Sequence, residues 1–379
     1  MQQVYLDNAA TTPLRTEVID KMAEVLRSNF GNPSSTHSFG RSSKSIIEQC
    51  RKNIAAHFNV EASEICFTSG GTEADNLVLR SAVRDLGVDV IITSKIEHHA
   101  VLHTVEHLAK EFSIDLKFVE VDEQGHVNIS HLKSLLITSK KPLVSLMHIN
   151  NEIGNILDIE QVAKTVKSAN GLFHSDTVQS IGHYKLDLAE LPIDFLAASA
   201  HKFHGPKGVG FAFIRKNSGL RPLIIGGDQE RGLRAGTEAV HNIAALDEAL
   251  SIAYKNLEDE KAHIKTLKRY FIEQLNANIP NVTFNGASGH IDKSTYTLLS
   301  VRLPLKPEKA AMLQFQLDLK GIACSKGSAC QSGSTQQSHV LSAILSHAEL
   351  QKPSVRFSFS IYNTKTEVDY VVDVLKSLV

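Results

Sequence analysis

Short apolar runs alternate with longer amphipathic stretches through the middle of the chain. The apolar runs predict buried strands, and they lie at 88–93, 116–121, 143–149, 172–176 and 195–198. Between them, apolar residues recur at helical spacing at 100–112, 129–136 and 159–169. Strands that alternate with helices in this way are typical of an α/β fold, in which a mostly parallel sheet has helices on both faces.

The pattern changes in the last third of the chain. A stretch at 237–279 has few helix breakers and many charges, which predicts a long helical region. Beyond it, strands are predicted at 282–284, 295–303, 322–325 and 355–360, and helices at 307–319 and 366–379. The sequence therefore predicts a large domain formed by residues 15–255. Residues 1–14 and 256–379 are predicted to form a smaller α+β domain.

The bulk composition narrows the class of protein. Of 379 residues, 42% are hydrophobic and 21% are charged, close to the average for globular proteins. The formal charge of −1 argues against a nucleic-acid partner. An apolar run of about 20 residues, which a membrane span requires, is absent from the sequence, and so is a secretory signal pattern at the start. Four cysteines do not make a disulfide framework in a chain of this length, so we expect a reduced, cytoplasmic location.

A glycine turn follows the apolar residues at 65–67. It reads Ser-Gly-Gly-Thr-Glu at 69–73, directly before a helical run. A strand, a glycine turn and a helix start present backbone N–H groups to a phosphate, and the hydroxyl of Thr72 beside Gly71 adds a donor. Alternatively, Thr72 with Asp75 or Asn76 only caps the helix.

Lys202 follows the predicted strand at 195–198 and stands between a serine, a histidine and a Gly-Pro turn. Burial disfavours an ammonium group, so the amine becomes available as a nucleophile. Ser199 and His201 are placed to bind the phosphate of an aldehyde cofactor held by Lys202. The alternative is a lysine that packs its stem and keeps its charge in water.

Asp176 ends the apolar run at 172–176. A buried aspartate is costly unless it is paired, hydrogen-bonded or protonated. Pyridoxal phosphate needs such a carboxylate to keep its ring nitrogen protonated. Asp176 and Lys202 both follow predicted parallel strands, whose carboxyl ends form the usual ligand-binding edge. Taken alone, Asp176 is equally explained as a cap or turn residue.

Cys330 lies in a small, polar, glycine-containing segment at 325–335, which predicts an exposed loop. Exposure and the nearby Lys326 favour a reactive thiolate. Cys50, Cys66 and Cys324 are instead predicted to be structural. The cysteine spacing does not match a metal site, and the row of His99, His103 and His107 is interpreted as a solvated helix face, so we predict no bound metal.

Together these motifs resemble the cysteine desulfurases, in the class V branch of the fold-type I pyridoxal-phosphate enzymes. The likeness runs nearly end to end, through strings at 5–13, 97–98, 148–154, 234–237 and 354–358. It implies a homodimer with pyridoxal 5'-phosphate as cofactor. The implied reaction converts L-cysteine to L-alanine and leaves the sulfur as a persulfide on Cys330. A sulfur-acceptor protein, such as an iron–sulfur scaffold or a thiolation protein, would then receive the sulfur.

The resemblance also implies a role for each site residue. Lys202 bonds covalently with the cofactor and moves protons, Asp176 pairs with the ring nitrogen, and His98 stacks on the ring. The remaining implied contacts are Gln179 with the phenolic oxygen; Gly71, Thr72, Ser199 and His201 with the phosphate; Thr237 with the phosphate of the neighbouring subunit; Asn151 with cofactor and substrate; and Arg356 with the substrate carboxylate. The loop at 325–335 is similar to that of the subgroup whose cysteine swings out to a partner.

Two other functional classes stay open on the sequence. One is a related pyridoxal-phosphate enzyme, such as an aminotransferase, a selenocysteine lyase or another β-lyase, for which Cys330 is not essential. The other is a non-catalytic binding module, which would not bind the cofactor. Gln331 and Gly333 differ from the residues expected beside the loop cysteine, and the chain ends directly after its last predicted helix, so the sequence does not identify the sulfur acceptor.

Overall fold

The computed structural model describes residues 2–305, 312–326 and 337–379. Its strands are β1 (Val4–Tyr5), β2 (Ile65–Thr68), β3 (Val90–Ser94), β4 (Asp115–Val119), β5 (Pro142–Ser145), β6 (Leu172–Asp176), β7 (Phe195–Ser199), β8 (Gly210–Ile214), β9 (Thr283–Phe284), β10 (Leu298–Arg302), β11 (Ile322–Ala323) and β12 (Ser354–Ser358).

The α-helices in the same ranges include several that the apolar pattern did not predict. They are α1 (Thr16–Ser28), α2 (Ser38–His57), α3 (Gly71–Leu86), α4 (His99–Phe112), α5 (Ile129–Ile137), α6 (Ile159–Ser168), α7 (Val240–Lys255), α8 (Leu257–Asn278), α9 (Leu313–Leu319), α10 (His339–Ile344), α11 (His347–Leu350) and α12 (Lys365–Leu378).

A seven-stranded sheet forms the centre of the larger part, in the order β2-β8-β7-β6-β5-β3-β4. Strand β8 runs antiparallel to both neighbours, and the other pairs are parallel. Alternate residues of each strand face opposite sides, so both faces are apolar and covered. Helices α3 and α4 pack on one face, and α1, α2, α5, α6 and α7 pack on the other. The predicted α/β architecture with a mostly parallel sheet is confirmed.

A second apolar cluster lies around the antiparallel sheet β9-β10-β12 and helices α8 and α12. The N-terminal strand β1 joins it by pairing in parallel with β11, and Asp7 then forms a bridge with Ser358 of β12. The first residues of the chain therefore lie beside its last strand. The division into two domains at residue 255 stays a prediction.

The helical stretch predicted at 237–279 is two helices. Helix α7 ends and α8 begins at Asn256, which has φ −102° and ψ 10°. The break directs α8 from the large sheet to the second apolar cluster, where Ile264 and Phe271 are buried. The helix predicted at 307–319 is described only from residue 312, as α9, and its first part lies outside the described residues.

Cys50 and Cys66 are buried, as predicted, and burial raises the pKa of both thiols far above their usual range. Cys324 is partly buried against the second apolar cluster, and burial raises the pKa of its thiol to about 12. These thiols are therefore inert at neutral pH. None of the helices in the described ranges is long and apolar enough to cross a membrane.

Lys268 of α8 is fully buried, and this makes a prediction about stability. Its Nζ donates to Ser294 Oγ and to the Thr295 carbonyl, each at 2.7 Å, and burial lowers its pKa to about 7. The unfolded lysine titrates near its ordinary pKa of about 10.4. Between these values the unfolded chain binds more protons, so the free energy of unfolding rises with pH, by at most about 1.4 kcal/mol per pH unit.

We expect Lys268→Met to remove this contribution. Urea unfolding gives the free energy of unfolding of the wild type and of Lys268→Met at each pH from 7 to 10. The difference between the two curves is the contribution of Lys268. The loss of the two hydrogen bonds shifts the mutant curve by a constant amount, whereas the loss of the titration changes its slope. Parallel curves would contradict the buried, neutral amine.

Candidate active site

A cavity of about 180 Å³ opens where the parallel strands of the large sheet end. The segments that follow β2, β3, β5, β6 and β7 all contribute to it, together with the N-terminal segment and β12. Its lining residues are Ala9, Ala10, Gly71, Thr72, Asp75, His98, Met147, Asn151, Asp176, Val178, Gln179, Ser199, His201, Lys202 and Arg356. The cavity thus lies at the sheet edge where ligands bind in such folds.

One end of the cavity is suited to an anion. Helix α3 begins at Gly71, and the N–H groups of its first turn have no intrahelical acceptor. A Cβ at Gly71 would lie 2.5 Å from Cγ2 of Val178, so only glycine fits, and Gly70 has φ +150°. A Cβ at Gly70 would lie 3.5 Å from Oγ of Ser199, so this hydroxyl stands beside the turn. Backbone N–H groups and a hydroxyl converge here as a phosphate requires.

Two buried carboxyl groups line the cavity. Asp176, at the end of β6, is 5% exposed, and its Oδ1 accepts from the N–H of Val178 at 2.9 Å. Burial raises its pKa to about 6. Asp75 is 1% exposed, and burial, followed by the charges of Asp176 and Glu97, raises its pKa well above the usual range. Since two adjacent buried carboxylates repel each other, Asp75 is the one that keeps its proton.

Lys202 ends a short 3₁₀ turn that follows β7. Its Nζ donates to the carbonyls of Ala9 and Ala10, at 2.6 and 2.9 Å. The amide of Gln179 donates to the same Ala9 carbonyl at 2.9 Å. Nδ1 of His201 lies 3.2 Å from the hydroxyl of Thr11. The N-terminal segment therefore forms one wall of the site and holds the lysine within it.

His98 precedes helix α4, and its Nδ1 accepts from the N–H of Ala100 at 3.1 Å. Burial, with a further contribution from the charge of Lys202, lowers the pKa of His98 to about 4. Its ring is therefore neutral at physiological pH and carries its proton on Nε2. An uncharged, flat ring of this kind is suited to stacking on an aromatic ligand.

Helix α4 carries three further histidines, a residue type that commonly binds metals. The rings of His99 and His103 stack at 4.5 Å, and His339 lies at the same distance from His99. His107 is directed instead to Glu111, with Nε2 3.1 Å from its carboxylate. Within the described ranges, no group of three or more metal-ligating side chains converges.

Arg356 of β12 is 2% exposed and is oriented by two neighbours. Its Nη1 donates to the Asn151 carbonyl at 2.8 Å, and its Nη2 donates to Asp7 at 2.9 Å. The Nε is buried and has no hydrogen-bond partner among the described residues. Each Nη carries a second N–H beside the one used in these bonds, so the guanidinium retains donors for a carboxylate ligand.

The structure brings most of the predicted site residues into this one cavity. Those that line it are Gly71, Thr72, His98, Asn151, Asp176, Gln179, Ser199, His201, Lys202 and Arg356. Thr237 is exposed and does not line the cavity of its own chain. Cys330 lies outside the described residues. Sequence reasoning missed Ala9, Ala10, Asp75, Met147 and Val178, which line the cavity as well.

The residues present fit pyridoxal phosphate. The cavity joins an anion-binding turn to a buried carboxyl group, and an amine and a neutral imidazole also line it. A bound phosphate would explain why position 71 is a glycine with no room for a side chain. A protonated ring nitrogen would explain why the carboxyl group of Asp176 is buried.

The chain is similar to known proteins along nearly its whole length. The family model described as aminotransferase class-V matches residues 4–371. A protein of Dictyoglomus turgidum named cysteine desulfurase IscS is 40% identical over 380 residues, covering 100% of this chain and 95% of that protein.

Two solved structures are similar along nearly the whole chain. A NifS-like protein has a TM-score of 0.90 and 35% identity, and covers 99% of both chains. A structure titled SspA in complex with cysteine has a TM-score of 0.81 and 30% identity, over 96% of this chain and 100% of that one. The fold predicted from the sequence is confirmed by these likenesses.

Proposed function

Because the chain belongs to the class-V aminotransferases and, among them, to the cysteine desulfurases, we propose that it holds the sulfur of L-cysteine as a persulfide on Cys330. The protein is a pyridoxal-phosphate-dependent cysteine desulfurase, which leaves L-alanine. The observation that most directly supports the residue assignments is the single cavity lined by Lys202, Asp176 and Arg356.

The cofactor, when bound, supplies an aldehyde that bonds to amines and a ring that accepts electrons from the substrate. The turn at Gly71 and Thr72, with Ser199 and His201, holds its phosphate. Thr237 of the neighbouring subunit adds a contact in the homodimer. Its solvent exposure supports a contact made outside its own chain. Asp176 holds the ring nitrogen protonated, and Gln179 contacts the phenolic oxygen.

Lys202 and His98 carry the proton transfers. Lys202 would hold the cofactor through its Nζ, and as a free amine it would act on the substrate. The amine then takes a proton from the substrate Cα and later returns one. The carbonyls of Ala9 and Ala10 support this role, because they can hold the released Nζ close to the reacting atoms. His98 stacks on the ring and assists the proton transfers, and burial keeps its imidazole neutral.

Arg356 and Asn151 orient the substrate. The planar guanidinium of Arg356, which lines the cavity, suits the α-carboxylate of L-cysteine. Asp7 and the Asn151 carbonyl fix the guanidinium from two sides, so little side-chain freedom is lost when the substrate binds.

Cys330 completes the reaction. Its thiolate attacks the substrate sulfur, so that an S–S bond forms as the C–S bond breaks. The two sulfurs are oxidised to the persulfide level, and the electron pair reduces the substrate carbon, which gains a proton and becomes the methyl group of alanine. The step balances without an external oxidant.

A sulfur-acceptor protein, such as an iron–sulfur scaffold, then receives the terminal sulfur. A reducing cytoplasm is supported by the three unpaired cysteines of the described residues.

Product analysis tests this function. Purified holoenzyme is incubated with L-cysteine and a thiol reductant, and alanine, sulfide, pyruvate and 2-oxo acids are quantified. We expect equal amounts of alanine and sulfide. Pyruvate with ammonia would instead indicate a β-lyase, and a 2-oxo acid that depends on an added acceptor would indicate an aminotransferase. Parallel assays with L-selenocysteine identify a selenocysteine lyase if that substrate alone is turned over.

A further inference from the structure

The stretches that flank residues 327–336 both attach to the cavity. On the N-terminal side, Ser325 exchanges two backbone hydrogen bonds with Arg356, at 2.7 and 3.2 Å. The Ser325 hydroxyl also donates to Asp7 at 2.8 Å, and the same carboxylate oxygen accepts from Arg356. This side is therefore fixed to the residue proposed to bind the substrate carboxylate.

The C-terminal side attaches next to the cavity as well. The Ser338 hydroxyl donates to Glu152 at 2.5 Å and accepts from the N–H of Leu341 at 3.1 Å, so it also caps α10. The next residue, His339, has its Nε2 2.8 Å from the backbone carbonyl of Glu97. Glu152 directly follows the cavity residue Asn151, and Glu97 directly precedes the cavity residue His98. Both attachments are thus one residue away from the site.

Glu152 is the unusual member of this arrangement. It is 2% exposed, it does not line the cavity, and its Oε1 has no hydrogen-bond partner among the described residues. A buried carboxyl group is costly and is retained where it makes a specific contact. Its side-chain contact in the described ranges is the Ser338 hydroxyl.

We propose that Glu152 is a positioning residue for sulfur transfer. Its carboxylate fixes Ser338, and therefore the point at which the segment carrying Cys330 rejoins the fold. Glu152 touches neither substrate nor cofactor and acts through Ser338. The inference rests on the proposed function, in which Cys330 receives the sulfur. Because a displacement of about 1 Å in a reacting group can cost roughly a hundredfold in rate, we expect the loss of this contact to slow sulfur transfer.

The test separates substrate binding from sulfur transfer in the holoenzyme. Visible absorbance on mixing with L-cysteine reports substrate binding, and chemical quench of a single turnover reports alanine and the Cys330 persulfide. We expect Glu152→Ala to slow single-turnover alanine formation roughly tenfold or more. The cysteine concentration that half-saturates the absorbance change should stay within about twofold of wild type. Glu152→Gln keeps an acceptor for Ser338 and should restore most of the rate.

A second pair of variants covers the case in which Glu152→Ala does not fold. Ser338→Ala loses a helix cap and the contact with Glu152, whereas Ser346→Ala loses only the equivalent cap of α11. We expect slow sulfur transfer in the first and wild-type transfer in the second. Equal rates in these two, or equal losses of substrate binding and transfer in Glu152→Ala, would overturn the inference. Wild-type alanine formation by Cys330→Ala would instead overturn the proposed function itself.

Discussion

Cys330→Ala is expected to bind L-cysteine and to produce almost no alanine, with a loss of rate on the order of a thousandfold or more. Without the thiolate, the substrate sulfur has no acceptor, and the C–S bond has no low-energy route to break. The cavity residues are unchanged, so substrate should still alter the visible absorbance of the holoenzyme. The absorbance change tests whether the mutant still binds L-cysteine, and the release of alanine and sulfide tests whether it has lost turnover.

Cys324→Ala is the matched control, six residues earlier in the chain. Burial raises the pKa of the Cys324 thiol to about 12, so this group is not a thiolate at neutral pH. Removing it should leave turnover within about threefold of wild type, since it deletes only packing at the edge of the second apolar cluster. Alanine formation by Cys330→Ala at the wild-type rate would show that the sulfur leaves the substrate without Cys330 as its acceptor.

Asp176→Asn is expected to lower kcat/KM for L-cysteine by about a hundredfold to a thousandfold. An amide has nearly the shape of the carboxylate but no negative charge, so it does not hold the ring nitrogen of the cofactor in its protonated form. The ring then accepts electrons poorly. The interaction is made inside a buried site, where a charge is worth more than in water. Steady-state kinetics and the rate of cofactor loss on dialysis measure the effect.

Asp75→Asn provides the comparison for Asp176. Both carboxyl groups line the cavity and both are almost fully buried, but Asp75 is the one that burial and its neighbours keep protonated. Replacing a neutral carboxylic acid by a neutral amide should change kcat/KM by about threefold at most. A large loss in Asp75→Asn together with a small loss in Asp176→Asn would reverse the two assignments.

The parallel core was predictable because its strands are continuous apolar runs. Strand β6 was predicted with its observed bounds, and β7 to within one residue, since both faces of the sheet are covered and most of their residues are apolar. The polar interior residues of β6, His174 and Ser175, are fully buried. Strand β8 was not predicted. It follows a Gly-Pro turn and runs antiparallel, and the apolar pattern alone does not give strand direction.

The site was predictable where side chains carry the chemistry, as at Lys202, Asp176 and Arg356. The site was not predictable where backbone groups form the contacts. Ala9 and Ala10 contribute carbonyl oxygens to Lys202, and an alanine gives no signal of that role apart from the string at 5–13 that resembles the family. Asp75 was named in the sequence only as an alternative helix cap, together with Thr72 or Asn76. Packing of α3 against β6 directs its carboxyl group to the cavity, and His174 Nε2 lies 3.3 Å from it.

The pairing of the N-terminal segment with the last strands has a consequence for biosynthesis. Strand β1 pairs with β11, and Asp7 with Arg356, so contacts that build one wall of the cavity join residues separated by more than 300 positions. The large sheet can form once Ile214 has left the ribosome. The roughly 140 residues up to Arg356 take about 7 to 30 seconds more at ordinary elongation rates. During that interval the nascent chain has the turn proposed to hold the phosphate but lacks the arginine proposed to bind the substrate, so the complete cavity arises only near the end of translation.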